Sequence, residues 1–211
     1  MSNWKNIDYD FFHWGPFVLK TKTPQYIIDR LLDDGLKTKV NYSKNLAGHL
    51  DNQFLYSIQT QKWFFNEIHP LVLKYRTGHC FYHNLEDLKL DFASDGLWIN
   101  FMKPGDYNPI HVHSADLSFV IYLDVPKELT QEQIDYPGTA AKPGSLSFTF
   151  TQNARPGWAT TGMSILPQTA DFIMFPSLLQ HAVVPFKSNV TRVSVSGNLK
   201  ILNRPDRDDY F

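Results

Sequence analysis

From about residue 88 onward the chain is cut into short apolar runs, each closed by glycine or proline, and this punctuation restricts the fold more than any other feature. Leu97-Trp98-Ile99-Asn100-Phe101-Met102 stops at Pro104-Gly105, a turn dipeptide. Ile110 to Val112 and Leu117 to Leu123 follow, ahead of Pro126. Gly144 opens Ser145-Leu146-Ser147-Phe148-Thr149-Phe150, which alternates polar and apolar as a half-buried strand does. Phe172 to Phe175 is stopped by Pro176, and Val190 to Leu199 closes the series. About eight short strands, with no helical spacing among them, predict a mainly β fold: an antiparallel sandwich or jelly roll.

The N-terminal third reads differently. Phe17-Val18-Leu19 is a short strand, and Thr23-Pro24 is a helix start with a capping hydroxyl and a first-turn proline. Ile27, Ile28, Leu31 and Leu32 form the apolar stripe of that helix, which Gly35 is expected to end. Ile58, Phe64, Phe65, Ile68, Leu71, Val72 and Tyr75 mark a second helix, with a kink or break expected at Pro70. Both helices have the character of a layer laid on a sheet. His49, His69, His79 and His83 are read as surface or satisfied core groups, and Trp63, Phe64 and Phe65 as a surface that suits a homo-oligomer. At 211 residues the expectation is one domain, 1–211, with residues 1–90 as helical support and 91–211 as the jelly-roll core.

A formal net charge of −1 marks neither a nucleic-acid binder nor a partner for anionic membranes, and Lys20, Lys22, Lys37 and Lys39 read as solvated faces. The single cysteine, Cys80, reads as a small buried apolar residue. The N-terminus lacks the apolar core of a signal peptide, and no run of about 18 apolar residues exists. The expectation is a soluble, cytoplasmic protein.

Three places in the sheet region carry chemistry. His111-Val112-His113 puts two imidazoles on one face of a strand, about 6.6–7 Å apart at the backbone, where they can converge on one metal ion. His181 returns five residues after Pro176, in another apolar run. Arg192 shares a strand face with Ser194, Ser196 and Asn198, while Val193, Val195 and Leu199 share the other. Turned inward, the arginine calls for an anion, and a carboxylate fits its two-pronged fork. Turned outward, the polar row is merely solvated and the valines are buried. Both orientations are open at this level.

The ordering is the stronger signal: His-x-His, a single histidine 68 residues on, ten residues, then Arg-x-Ser. Here the chain resembles the iron(II)/2-oxoglutarate-dependent oxygenase superfamily, in particular its small prolyl-hydroxylase-like bacterial and phage branch. The likeness rests on Trp98-Ile99-Asn100, Gly105 to Tyr122 and Phe175 to Asn198. It implies a double-stranded β-helix (jelly roll, cupin-like) packed against N-terminal helices. It also implies Fe(II) held by His111, His113 and His181, 2-oxoglutarate as co-substrate with its far carboxylate on Arg192 and Ser194, and O2 as oxidant. Asn100 and Tyr122 become further co-substrate contacts. The implied reaction couples decarboxylation of 2-oxoglutarate to succinate with hydroxylation of a C–H bond in a small-molecule or peptidyl substrate, prolyl by default.

One departure stands out. The family pattern has a carboxylate where this chain has His113, so either the site holds three histidines or Asp116 supplies the acid. Thr130 to Thr161 reads as a long loop or lid, with Tyr136 and Trp158 as weak candidates for substrate contact. Two rival readings remain: a cupin-type metalloenzyme that does not use 2-oxoglutarate, and a non-catalytic jelly-roll module.

Overall fold

The computed structural model describes residues 7–13, 15–86, 89–150 and 162–203. Two antiparallel sheets face each other. The larger has seven strands in the order β1-β2-β9-β6-β11-β4-β3: Tyr9–His13, Phe17–Lys22, Asp171–Pro176, Leu117–Asp124, Arg192–Ile201, Phe92–Met102 and Gln53–Leu55. The smaller has four, β5-β10-β7-β8: Asn108–His111, Gln180–Val183, Leu146–Thr149 and Gly162–Ile165. Two antiparallel sheets of such short strands, closed over one interior, are a jelly roll.

Three helices occur among the described residues: α1 (Gln25–Lys37), α2 (Ile58–Tyr82) and α3 (Lys127–Asp135). Helices α1 and α2 cover the outer face of the large sheet. There Ile27, Leu31, Phe64, Ile68, Leu71 and Tyr75 pack against Ile99, Phe119, Phe172 and Val195 in the main core. Burying each such side chain stabilises the fold by about 1.5–3 kcal/mol. Between the sheets lies a second cluster, in which Tyr122, Ile173 and Phe175 of the large sheet meet Leu146 and Phe148 of the small one. Strand β11 is therefore enclosed on both faces where it begins: Val193, Val195 and Leu199 enter the helix-side core, while Arg192 and Ser194, only 3% and 4% exposed, enter the sandwich. The two orientations open in the sequence are resolved together, since the valine row is buried and so are Arg192 and Ser194 of the polar row, with Ser196 and Asn198 half-buried.

Several local expectations are corrected. Helix α1 is preceded by Pro24 in extended conformation with no side-chain cap, and the Thr23 hydroxyl is buried without a partner instead of capping. Gly35 does not end α1; it lies within it, because a Cβ there would run into Ile99 and the Tyr56 hydroxyl. Helix α2 is instead the one with a side-chain cap, as Thr60 N–H donates to Ser57 Oγ (3.1 Å). It runs through Pro70 without a break, because its buried face spans the proline from Phe64 to Tyr75. The N-terminal third is not helical support alone, since it gives β1, β2 and β3 to the large sheet. Phe64 is 2% exposed and belongs to the core, so it offers nothing to a dimer surface, while Trp63 lies beneath the Arg30 guanidinium. Lys20 and Lys22 are not merely solvated; both pair with buried Asp171. The segment read as a long loop from Thr130 begins in α3.

Cys80 is buried, as expected. His79 is not a satisfied core histidine: its Nδ1 is buried with no hydrogen-bond partner, and its ring packs on Phe17 and Tyr75. Burial, reinforced by the neighbouring His83, lowers its pKa to about 4. No helix of the described residues is long and apolar enough to cross a membrane.

Two outcomes are expected. Gly35→Ala, which in an exposed helix would stabilise, should here destabilise by about 1–3 kcal/mol through overpacking, read as a lower Tm. A higher Tm would show that Ile99 and Tyr56 give way freely. Between pH 6.5 and 4 the unfolded chain takes up a proton at His79 that the fold resists, so stability falls as pH falls through that window. His79→Leu should therefore lose less Tm than the parent between pH 7 and pH 5; parallel losses would sink this attribution.

Candidate metal centre

The small sheet brings two distant segments into register. Strands β5 and β10 pair antiparallel with His111 directly opposite His181, so both imidazoles leave the same face. Their ring centroids are 4.2 Å apart. His113 lies beyond the end of β5, so the strand spacing expected of His-x-His is not what aims it. Its backbone N–H donates to Ser177 O (3.0 Å), which ties this excursion to the turn between β9 and β10. The His113 ring sits 5.0 Å from that of His111 and 5.1 Å from that of His181. One ring nitrogen from each of the three lies within 4.8 Å of the others, and His113 Nε2 is 3.2 Å from His181 Nε2.

Backbone carbonyls fix two of these rings. His111 Nδ1–H donates to Pro109 O (2.7 Å) and His181 Nδ1–H to Leu179 O (2.8 Å), which leaves each Nε2 with its lone pair. A metal-binding imidazole needs this tautomer and this outer hydrogen bond. Burial, then the neighbouring His111, lowers the pKa of His113 to about 4 and that of His181 to about 3. The rings of His113 and His181 are therefore held neutral, as ligands must be.

The three histidines open into a cavity of about 60 Å³ that also takes in Arg192, Ser194, Asn100 and Tyr122. Arg192 Nη1–H donates to Gly144 O (2.6 Å), its Nη2 lies 2.8 Å from Met102 Sδ, and the guanidinium stands 5.3 Å from the Tyr122 ring centroid. Its Nε is buried with no partner, and burial pushes its pKa down from the ordinary arginine value. Ser194 is the Cα partner of both Asn100 and Tyr122, so these residues form one row across β4, β11 and β6. Gln53 on β3 extends the row, donating from Nε2 to Asn100 Oδ1 (2.8 Å). Gln53 was not foreseen, because a three-residue strand in the N-terminal third shows no periodicity.

Asp116 goes elsewhere. Its carboxylate accepts from the Ile201 N–H (2.7 Å), and it lines a different cavity with Tyr75, His79 and Leu117. The structure thus gathers His113, and not Asp116, beside His111 and His181. Tyr136, just past α3, lines a third cavity with Pro104 and Phe186, apart from the histidines. Trp158 lies outside the described residues.

The donor set suits a divalent first-row metal such as Fe(II): three neutral imidazoles leave its +2 charge uncompensated. Beside it, a buried guanidinium without a carboxylate partner suits an anion that also reaches the metal. Residues 96–198 match the family model described as "Putative 2OG-Fe(II) oxygenase". No curated protein matches the sequence. Among solved structures, the viral collagen prolyl hydroxylase of Paramecium bursaria Chlorella virus-1, in its 2OG complex, shares 14% identity at a TM-score of 0.56, over 88% of this chain and 96% of that one. A prolyl-4-hydroxylase of Pseudomonas putida shares 14% identity at 0.52, over 90% and 95%. Those two likenesses are of fold. Residues 96–198, which carry all three histidines and Arg192, are thus similar to the 2OG-Fe(II) oxygenase family, oxidoreductases that work with Fe(II), 2-oxoglutarate and O2.

Proposed function

We propose that His111, His113 and His181 hold Fe(II), that Arg192 and Ser194 receive the far carboxylate of 2-oxoglutarate, and that the protein hydroxylates a C–H bond of a peptidyl, prolyl-like substrate. The observation that carries this reading is a guanidinium 3% exposed, with an unpartnered Nε, sharing one cavity with three converging imidazoles. A buried unpaired charge is strongly unfavourable, and a bound carboxylate removes that penalty with two charge-assisted hydrogen bonds. The peptidyl class follows the two solved relatives, both prolyl hydroxylases by name.

When bound, iron and 2-oxoglutarate supply the oxidation: O2 converts 2-oxoglutarate to succinate and carbon dioxide, and its second oxygen atom enters the substrate C–H bond. The chain's own residues orient and exclude. Pro109 O and Leu179 O hold the imidazoles of His111 and His181 by their Nδ1 protons. Gly144 O fixes the guanidinium from its outer side. Tyr122, 1% exposed, and Phe175, 3% exposed, wall the cavity with apolar surface and keep bulk water from it. With three neutral ligands in place of two and a carboxylate, a dianionic co-substrate meets a site of higher positive charge. This favours its binding.

Metal uptake tests the ligand set. Anaerobic titration with Fe(II) or Mn(II) should give one site per chain, lost in His113→Ala and kept in Asp116→Asn. The reverse pattern would make Asp116 the third ligand. Co-substrate use is tested by succinate release: it should require both iron and 2-oxoglutarate, and its absence would favour a cupin-type enzyme. Arg192→Ala should weaken 2-oxoglutarate binding about a hundredfold while sparing metal uptake, as expected for truncating one side of a buried charged pair. Arg192→Lys, which keeps the charge but loses the fork, should fall between. Equal loss of metal and co-substrate in both variants would make Arg192 structural.

A further inference from the structure

The polar row across the large sheet begins outside the family-matched segment. Gln53 on β3 faces Asn100 on β4, which faces Ser194 on β11. Gln53 is 1% exposed and lines the metal cavity. Its amide makes one hydrogen bond, Nε2–H to Asn100 Oδ1 (2.8 Å), while its Oε1 is buried without a partner. The side chain therefore keeps its donor on Asn100 at the expense of an unmet acceptor. Such an arrangement weakens the fold unless it serves something else.

What it serves is the direction of the next bonds. With Oδ1 occupied by Gln53, Asn100 turns Nδ2 toward β11, 3.2 Å from Ser196 Oγ and 3.4 Å from both Ser194 Oγ and Ser194 O. A hydroxyl that accepts from an amide keeps its own proton for another acceptor. Were Gln53 unable to donate, Asn100 could reverse, and its Oδ1 would then take up the serine protons. The row has a polarity, and the residue at the sheet edge sets it.

We propose that Gln53 is a positioning residue for 2-oxoglutarate: it orients Asn100 so that Ser194 offers an O–H, not a lone pair, to the co-substrate's far carboxylate. This rests on the reading that Arg192 and Ser194 receive that carboxylate. Gln53 does not touch the co-substrate; it acts through Asn100. Specificity for a carboxylate at this end of the cavity then depends on a residue of the N-terminal third as well as on Arg192.

The test is an anaerobic titration of the Fe(II)-loaded protein with 2-oxoglutarate, followed by the visible charge-transfer absorption of the chelate. Metal content and Tm are recorded beside it. Gln53→Met should weaken 2-oxoglutarate binding on the order of tenfold, as for one net hydrogen bond, with iron uptake unchanged. In a Ser194→Ala background the same substitution should have no further effect, because the relay no longer has an end. Gln53→Leu, of different shape but with the same missing donor, repeats the measurement if Gln53→Met lowers Tm. Wild-type affinity in both variants, or equal losses with and without Ser194, would overturn the proposal while leaving the oxygenase reading intact. A wild-type protein that gives no charge-transfer band would overturn both.

Discussion

A guanidinium ion enclosed by two sheets is the constraint on which the rest of the site turns. Arg192 cannot reach water, and the neighbours it has satisfy it only in part: a backbone carbonyl at Gly144, the thioether of Met102 and the face of Tyr122. None of these carries a full negative charge. A protein of this size tolerates such a group only if something else compensates it, and an anionic ligand does so without a permanent counter-ion that would compete with it. Replacing Met102 by an acid would quiet the arginine and close the site. The soft partner keeps the guanidinium in place and leaves its charge available.

The second requirement is that this charge stand near the imidazoles, and antiparallel pairing meets it. His111 and His181 are 70 positions apart in sequence but opposite one another in the β5–β10 register. Arg192 follows on β11 of the other sheet, so the turn and loop between β10 and β11 carry the chain from one wall of the cavity to the other. The ten residues separating His181 from Arg192 thus span the gap between the sheets. Because both walls share the Phe148, Phe175 and Tyr122 cluster, the distance from imidazole to guanidinium is set by packing between the sheets.

Much of this was legible in the residues. Apolar runs bounded by Gly and Pro gave the strands of the jelly roll, and the order His-x-His, His, Arg-x-Ser pointed to residues that line one cavity. What was hidden had physical causes. The orientation of β11 looked like a choice because one buried face is the usual case for an antiparallel strand, yet helices on one side and a second sheet on the other bury both. His113 looked like a strand residue, although the turn at Ser177 aims it. Gly35 looked like a helix end, since its buried contacts with Ile99 and Tyr56 come from elements far away in sequence. Gln53, Ser57 and α3 depended on single local bonds or on docking, for which periodicity gives no sign.

The same contrast explains where the chain's individuality lies. The family match spans 96–198, yet the large sheet is incomplete without β1, β2 and β3, which precede it. Strand β3 is an edge strand only three residues long, and its one wholly buried residue is polar and lines the cavity of the three histidines. An edge strand kept short, with its outer backbone groups taken up by Val40 and Tyr42, resists pairing with other chains. Here the same brevity places an amide, not an aliphatic side chain, at the end of the row through Asn100 and Ser194. Stability would favour an apolar residue at a position 1% exposed. The amide with its unmet oxygen fits a row that must hold one direction, and Arg192, beside Ser194 at the β11 end of that row, gives the direction its use.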